Sequence, residues 1–475
     1  MSTQLGNSPT KVRDHRWTAL VVIAIAQLMV ALDATVVNIA LPSAQAALDF
    51  SDGERAWVVT AYTSAVAGLL LLGGRIADRF GRRRSFLVGL IGFAASSALA
   101  GLAPSLGLLI TGRALQGAFA AVLMPTAMSL IAVTFTDGKE RAKAFGVYGA
   151  VASSGAAVGL LVGGVLTEYA GWRWCLYINV AIALVAFAIG ARVLPHAEGL
   201  NQGRIDLVSG ALVTGGLAAL VYGCAQAATE GWGSAAVLVP LAIGAVGVAA
   251  FLVRQSRVSE PLLPLWVLAD ASRLGAYLSV AAAVVGSFGM FLMLTYHFQA
   301  VLGWSAVRTG FAFMPLSIAV TAGSYGLGSA MLPRVAPRTL IVPGMLVAAT
   351  GLFLLAGLST ESSYVMRIMP AEVLLGVGMG CVFTPAISVA TSNIDMRFAG
   401  VAAATASTFM QVGGSIGTAV LNSVAVAATA SAGIGAAAVV HGFATATTYA
   451  AVLLLTVGIV AAALVRTPRP AHDEN

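Results

Sequence analysis

The stretch that decides the fold is Gly73-Gly74-Arg75-Ile76-Ala77-Asp78-Arg79-Phe80-Gly81-Arg82-Arg83-Arg84, which lies between two apolar segments. It is densely basic in a chain of which only 9% is charged. Side chains with this much charge are too costly to place in hydrocarbon. The stretch therefore predicts a short loop at a membrane face, and the positive-inside rule assigns that face to the cytoplasm.

The composition on either side of this loop is that of an all-α integral membrane protein. Hydrophobic residues make up 59% of the 475 residues, and many apolar runs have the ~20 residues needed to cross ~30 Å of hydrocarbon. These runs predict 14 transmembrane helices, and the composition excludes a soluble fold. Two longer polar connections divide them into an N-terminal six-helix bundle over 1–195, two additional helices over 196–272 and a C-terminal six-helix bundle over 273–475.

The positions of the basic residues test this helix count. Of the 26 lysine and arginine residues, Arg113 falls inside a predicted helix, and only Arg55, Arg173, Arg308 and Arg367 fall in segments predicted to lie outside. Such an asymmetry predicts an even number of helices with both termini in the cytoplasm. The net charge of +7 is thereby explained by topology, and we expect no binding to nucleic acid.

Two motifs carry a resemblance to a known family. Gly74-x-Ile76-Ala77-Asp78-Arg79-x-Gly81-Arg82-Arg83 resembles the loop 2/3 signature of the major facilitator superfamily. The segment from Leu32-Asp33-Ala34-Thr35 to Pro42 resembles helix one of its fourteen-helix drug:proton antiporter branch. The resemblance implies two pseudo-symmetric bundles with two extra helices between them, and a conformational latch made by Gly74, Asp78, Arg79, Gly81, Arg82 and Arg83.

Helix five departs from the antiporter pattern at one position. The glycines implied for close helix packing are present as Gly155, Gly159, Gly163 and Gly164. Leu160 stands where the family has proline, so the kink attributed to that proline is not expected here. Antiport is accordingly less firmly implied than transport.

Ionisable side chains inside the bilayer are the candidates for coupling chemistry. Asp33 lies ~6 Å outward from the middle of helix one, and Arg113 lies ~8 to 9 Å outward in helix four at 1.5 Å per residue. The two side chains can therefore meet at one depth. Each is costly in a membrane, which favours a role in proton coupling, as the resemblance also implies. The alternative is a static buried salt bridge that fixes helix packing.

A third buried acid and several polar or bulky side chains are candidates for a substrate cavity. Glu372 lies ~10 Å outward in helix twelve, where it could attract a cationic drug, carry a second proton or reach the membrane interface. Aromatic faces attract lipophilic cations, although most such residues in a membrane protein serve packing alone. The candidate cavity comprises Asn38, Tyr62, Gln116, Phe291, Met314, Glu372, Gln411 and Ser415.

The sequence offers no phosphate-cradling loop, so an ion gradient is the expected energy source and no cofactor or metal is predicted. We expect a secondary transporter, not an enzyme: a proton-coupled exporter of lipophilic, cationic drugs or antibiotics. Its expected partners are a small-molecule substrate, protons and the lipid bilayer, and we expect a monomer. Dedicated export of an endogenous product is an alternative within transport, and a membrane scaffold or sensor is the alternative outside it. The abundance of arginine over lysine, with many alanines and glycines, indicates a bacterial inner membrane.

Overall fold

The computed structural model describes residues 16–135, 137–195, 206–259, 261–332, 334–392, 394 and 399–465. All regular structure in these ranges is helical. The first six long helices are α1 (Arg16–Leu48), α2 (Asp52–Phe80), α3 (Arg82–Gly101), α4 (Leu106–Thr134), α5 (Gly138–Tyr169) and α6 (Trp174–Val193).

Two long helices and a short one follow. They are α7 (Leu207–Glu230), α8 (Ala235–Gln255) and α9 (Trp266–Ala269). The remaining α-helices are α10 (Ala271–Tyr296), α11 (Ala306–Ala312), α12 (Met314–Ala322), α13 (Arg338–Ala356), α14 (Met369–Thr391), α15 (Ala399–Ala432) and α16 (Ala436–Leu464). Three π-helical turns interrupt this part of the chain, at His297–Val301, Gly323–Ser329 and Tyr364–Ile368.

Within the described residues, 12 helical segments are long and apolar enough to cross a membrane. The helices α2 and α5 contain the shorter apolar stretches Trp57–Leu70 and Val158–Tyr169. Helix α2 as a whole spans Asp52–Phe80, and α5 spans Gly138–Tyr169. The chain is thus a multi-pass membrane protein.

The structure corrects the prediction of a loop over the basic stretch. Helix α2 continues to Phe80 and α3 begins at Arg82, so the break between them is Gly81 alone. Gly81 has φ +90°, a backbone conformation that glycine adopts without the strain that a Cβ causes. Arginine has a high helix propensity, so α2 can continue as a helix beyond the membrane. The apolar pattern of the sequence does not indicate this continuation.

The membrane-crossing segment Ala306–Ser329 is divided into three parts. An α-helical segment ends at Ala312, a second begins at Met314, and a π-helical turn continues from Gly323 to Ser329. Proline at position 315 lies in the first turn of α12, where its missing N–H is tolerated. The break places Phe313 in the buried core of the C-terminal helices.

The buried apolar residues form clusters that follow the two halves of the chain. Two clusters are built almost entirely from α1 to α6, and a larger one is built mainly from α10 to α16. Ile39 of α1 and Leu160 of α5 belong to this larger cluster, so the halves share core packing. Helices α7 and α8 pack on each other, and α7 also contacts α2 and α15.

Candidate functional site

The centre of the N-terminal half contains a fully buried ion pair between two helices. Arg113 Nη1 of α4 donates to Asp33 Oδ2 of α1 at 2.6 Å. The Asp33 side chain is 0% exposed and that of Arg113 is 1% exposed. The prediction that these residues share one depth is confirmed, and two opposite charges lie paired in the middle of an apolar bundle.

Polar side chains from two further helices complete the surroundings of the carboxylate. Gln116 Nε2 donates to Asp33 Oδ1 at 3.0 Å, and Asn179 Nδ2 of α6 donates to the same oxygen at 2.8 Å. Gln116 also accepts from Arg113 at 3.0 Å and donates to Ser97 Oγ of α3 at 2.6 Å. Three donors therefore stabilise the charged form of Asp33, since hydrogen bonds to an ionised acceptor are stronger than neutral ones.

Arg113 also ties this network to α2. Its Nε atom donates to the Val58 carbonyl oxygen at 3.2 Å. Its Cζ atom lies 4.4 Å from the centre of the Tyr62 ring, within the range of a cation–π contact. Five helices therefore meet at one ion pair, so a change in the charge of Asp33 would be felt by α1, α2, α3, α4 and α6 together.

A narrow crevice reaches Arg113 from the end of α1 that is predicted to face outward. Its walls are almost wholly apolar and are formed by Val37, Ala40, Leu41, Ala44, Val58, Leu109, Trp172, Cys175 and Leu176. The crevice touches the charged network at Arg113. Its accessible volume of about 10 Å³ is no more than a single water molecule needs, and Arg113 is its one charged lining residue in the described structure.

The predicted glycine ladder packs α5 against α1. A Cβ atom added at Gly155 would lie 2.8 Å from Ala31 Cβ, one at Gly159 would lie 2.1 Å from Thr35 Oγ1, and one at Gly163 would lie 3.0 Å from Val36 Cα. The two helices can approach this closely only because these positions lack side chains. Leu160 is buried in an α5 that remains α-helical from Gly138 to Tyr169.

The last glycine of the ladder faces the other half of the molecule. A Cβ atom at Gly164 would lie 2.7 Å from the Ala306 carbonyl oxygen, and one at Gly310 would lie 2.6 Å from the Leu160 carbonyl oxygen. One turn further along α5, Glu168 Oε2 accepts from the Val307 backbone N–H at 3.2 Å. Helices α5 and α11 therefore make a close backbone contact between the halves.

A second contact between the halves lies at the same end of the bundles. The guanidinium carbon of Arg55, in the first turn of α2, lies 3.2 Å from the centre of the Tyr296 ring at the end of α10. Arg55 was predicted to lie outside. Both halves are thus joined at the end that the charge pattern assigns to the outer face.

At the opposite end, two basic residues of the stretch 73–84 contact neighbouring backbone. Arg75 Nη2 donates to the Pro261 carbonyl oxygen at 2.6 Å, which ties α2 to the segment between α8 and α9. Arg83 donates to the Ala191 carbonyl oxygen near the end of α6. The side chain of Asp78 lies outside the described part of the structure, so its role in a latch stays a prediction.

The remaining latch residues have ordinary helical surroundings. A Cβ atom at Gly74 would meet only Pro125 of α4, at 3.8 Å. The Arg79 guanidinium carbon lies 5.9 Å from the ring of the adjacent Phe80, and Arg82 is half-buried. These contacts neither require nor exclude a latch.

The residues predicted to share a substrate cavity lie in different places. Tyr62 and Gln116 belong to the Asp33 network, whereas Asn38 donates to the Ala34 carbonyl oxygen of its own helix at 3.1 Å. The Phe291 ring lies 4.9 Å from that of Phe313. A common substrate cavity of these residues stays a prediction.

The other candidates lie on three helices of the C-terminal half. Met314 begins α12 and is half-buried, as is Gln411 of α15. The hydroxyl of Ser415 is buried without a hydrogen-bond partner. Glu372 is fully buried in the first turn of α14, and neither carboxylate oxygen has a partner.

The sequence pointed to some residues of the ion-pair network and missed others. Gln116 lies one helical turn from Arg113, so the two share a face and their association was open to prediction. Asn179 lies in a run otherwise apolar, which is a signal of buried polar function. Ser97 and the Val58 carbonyl gave no signal, because small hydroxyls and backbone groups occur throughout membrane helices.

Comparisons with known proteins find relatives that match most of the chain. The chain is 48% identical over 471 residues to the puromycin resistance protein pur8 of Streptomyces alboniger, covering 97% of this chain and 93% of that protein. It is 38% identical over 407 residues to the cephamycin export protein CmcT of Amycolatopsis lactamdurans, covering 85% and 84%.

Among solved structures, the chain is similar to a bacterial homologue of the human lysosomal transporter Spinster, crystallised in an inward-facing and unoccupied conformation. The TM-score is 0.67 at 16% identity, covering 98% of this chain and 100% of that one, which establishes the shared fold. The family model of the Major Facilitator Superfamily matches residues 23–418. The chain therefore belongs to the Major Facilitator Superfamily and is a membrane transporter, not an enzyme.

Proposed function

We propose that this protein exports lipophilic, cationic drugs or antibiotics from the cytoplasm of a bacterium in exchange for protons. The buried pair of Asp33 and Arg113 is the observation that carries the proposal. The two relatives described above are named for antibiotic resistance and antibiotic export. Their similarity covers most of both chains and supports an antibiotic as the substrate.

The coupling step follows from the contacts of Asp33. While it is ionised, Arg113, Gln116 and Asn179 all donate to it. A proton on Asp33 removes the charge that these donors stabilise and leaves Arg113 buried without its counter-ion. Breaking one side of a buried ion pair costs about 3 to 5 kcal/mol. Protonation of Asp33 therefore destabilises this conformation of the bundle and favours a rearrangement.

We propose that the proton enters from outside, since the small recess beside Arg113 lies towards the outer end of α1. Substrate enters from the cytoplasm or the inner leaflet while Asp33 is ionised, and a proton from outside then resets the carrier. Moving one charge through 100 mV provides ~2.3 kcal/mol, which raises a substrate gradient about fiftyfold when fully coupled.

The proposed architecture has 14 spans, counting α2 and α5 with the 12 long apolar helices. The outer contacts between the halves, Gly164 with Ala306 and Arg55 with Tyr296, would open and close as the six-helix bundles rock. We propose a monomer in the inner membrane with both termini in the cytoplasm. The Asp78 to Arg83 segment would act as a latch at the cytoplasmic end.

Dedicated export of one self-made antibiotic is a second candidate. It is favoured by the relatives named for puromycin and for cephamycin, each of which refers to one compound. A transport panel in inverted vesicles separates the two candidates. Uptake of puromycin alone would favour dedicated export, whereas uptake of puromycin together with ethidium and other unrelated cations would favour a multidrug exporter.

The proposed function is tested in the same energised vesicles. Wild-type protein is expected to accumulate substrate when the lumen is acidified, and Asp33→Asn and Arg113→Ala are expected to lose this accumulation. The matched control is Glu230→Gln, which removes an exposed carboxylate at the end of α7. Full accumulation by both site variants, with no response to a pH jump, would overturn the proposal.

A further inference from the structure

The C-terminal half contains a buried acid that the Asp33 network does not use. Glu372 is 0% exposed, and both of its oxygens lack a hydrogen-bond partner. Asp33, also 0% exposed, accepts hydrogen bonds from three side chains. Asp33 and Glu372 are thus equally buried but differently surrounded. Asp33 accepts hydrogen bonds from three side chains, whereas Glu372 has no hydrogen-bond partner in the described structure.

The position of Glu372 leaves no room for a drug. The flanking Ala371 and Leu375 belong to the buried apolar cluster of the C-terminal half. Helix α13 lies so close that a Cβ atom at Gly351 would be 2.6 Å from the Ala371 carbonyl oxygen. Since the Glu372 side chain is 0% exposed, no space that admits even a water molecule borders it, and the site has room for a proton but not for an organic cation.

No neighbouring cation neutralises Glu372 in the described structure. Arg367, in the preceding turn, donates from Nε to the Leu354 carbonyl oxygen at 3.2 Å. The Arg308 guanidinium carbon lies 4.0 Å from the centre of the Trp304 ring. The outer halves of α12, α13 and α15 carry no ionisable side chain.

Two further ionisable residues, Tyr364 and His297, lie on elements near α14, and neither makes a described hydrogen bond to Glu372. The Tyr364 phenol lies within electrostatic range of Glu372 but donates its hydroxyl to the Ala312 carbonyl oxygen at 2.8 Å. His297 ends α10, which packs on α14, and both of its ring nitrogens are buried without a hydrogen-bond partner. An unpaired charge costs several kcal/mol in such surroundings, so Glu372 is stable there as the neutral acid.

The backbone that precedes Glu372 is irregular. The π-helical turn Tyr364–Ile368 directly precedes α14, and another begins at His297. Single π-helical turns interrupt the regular hydrogen-bond ladder and are frequent at functional sites. The preceding segment lies at the surface of the protein, where Met366 is 82% exposed. Glu372 therefore lies less than two helical turns from the exterior, behind a helix start with irregular hydrogen bonding.

From these observations we infer that Glu372 is a second proton-binding site, in the C-terminal half and separate from Asp33, which exchanges its proton with the outer face when the helix ends around Tyr364 and His297 separate. Its place in the transport cycle rests on the proposed proton-coupled export. Its proton occupancy does not, because that follows from the burial and the missing partners alone.

Infrared spectroscopy of the purified, lipid-reconstituted protein tests the occupancy directly. Wild-type protein at neutral pH is expected to show the C=O stretch of a protonated carboxyl group, and Glu372→Gln is expected to lose it. Asp33→Asn and the exposed control Glu361→Gln are expected to retain it. Absence of the band from the wild type, or its persistence in a folded Glu372→Gln variant, would overturn the inference.

Two further measurements are an infrared spectrum of a second Glu372 variant and the ratio of protons to substrate in transport. If Glu372→Gln does not fold, Glu372→Asp is used instead, and the band is expected to shift in frequency; an unshifted band would overturn the inference.

The number of protons moved per substrate is then measured in proteoliposomes with puromycin. Glu372→Gln is expected to lower it while leaving transport measurable, and an unchanged ratio would exclude Glu372 from the cycle. A wild type that shows the band but moves no protons would refute the proposed function and leave the proton site standing.

Discussion

Arg113 Nη1 lies 2.6 Å from Asp33 Oδ2, with both side chains shielded from solvent by five helices. A pair this deep is weak evidence for stability, because the desolvation of two charges offsets most of their attraction. A role in a conformational change explains the presence of this ion pair better than a contribution to stability does. In the proposed cycle, protonation of Asp33 would remove the counter-charge of Arg113 and would affect every helix that contacts the pair.

The hydrogen bond from Asn179 to Asp33 provides the first prediction. Asn179→Leu removes a donor to Asp33 Oδ1, and the loss of a hydrogen bond to a charged group costs about 1.5 to 3 kcal/mol. We expect drug-driven proton exchange to slow by at least tenfold, measured as initial rates in proteoliposomes. Thr350→Val is the matched control, since the exposed Thr350 hydroxyl donates only to the Leu346 carbonyl oxygen of its own helix among the described contacts. Equal rates for Asn179→Leu and wild type would contradict the account.

The close contact of α5 with α11 gives a prediction about conformation. In Gly164→Val the new side chain would collide with the Ala306 carbonyl oxygen, 2.7 Å from the Cβ position. We expect the outer ends of the halves to separate. A cysteine pair at 168 and 307, where Glu168 contacts the Val307 N–H, should therefore form less disulfide in this variant.

The control for that cross-linking experiment is Gly107→Ala. A Cβ atom at Gly107 would meet nothing within 4 Å, so its cross-linking should equal that of the parent. If Gly164→Val also cross-links to the parental extent, α5 and α11 do not form the outer closure.

An ion pair at the start of α7 predicts the pH dependence of stability. Arg254 donates to both oxygens of Asp206, at 2.9 and 3.0 Å. These bonds, together with those from Ser209 and despite partial desolvation, lower the pKa of Asp206 from 3.8 to about 2. A lowered pKa contributes stability that is complete above the unfolded pKa and is lost as the pH falls through the folded one.

We therefore expect Asp206→Asn to lower the melting temperature by a constant amount at neutral and mildly acidic pH. The difference from wild type should shrink only as the pH falls from 3.8 towards about 2. Thermal unfolding in detergent measures it, and the double variant with Arg254→Met should lose little more than either single variant. A difference that vanishes near neutral pH would mean that Asp206 is not held in this pair.

Much of the fold and the centre of the site could be predicted from the sequence, for identifiable reasons. Charge in hydrocarbon is so costly that Asp33 and Arg113 stood out, and the fixed rise of a helix placed them at one depth. Family membership was readable from motifs because the loop around Asp78 and Arg83 has a characteristic spacing.

Other features could not be predicted because they depend on tertiary contacts. The continuation of α2 to Phe80 is set by helix propensity outside the membrane, which a hydropathy pattern does not report. The break at Phe313 and the π-helical turns arise from packing between helices. The surroundings of Glu372 were equally invisible, since depth in a helix does not tell whether a carboxyl group finds a donor.

The most direct test of the central claim is proton movement driven by substrate in proteoliposomes with a pH dye inside. When puromycin is added outside without a pH gradient, wild-type protein should carry it inward and protons outward, so the lumen becomes alkaline. Asp33→Asn should bind puromycin but produce no pH change, whereas Glu230→Gln should behave as wild type. An alkaline shift of wild-type size in Asp33→Asn would contradict coupling through the Asp33–Arg113 pair.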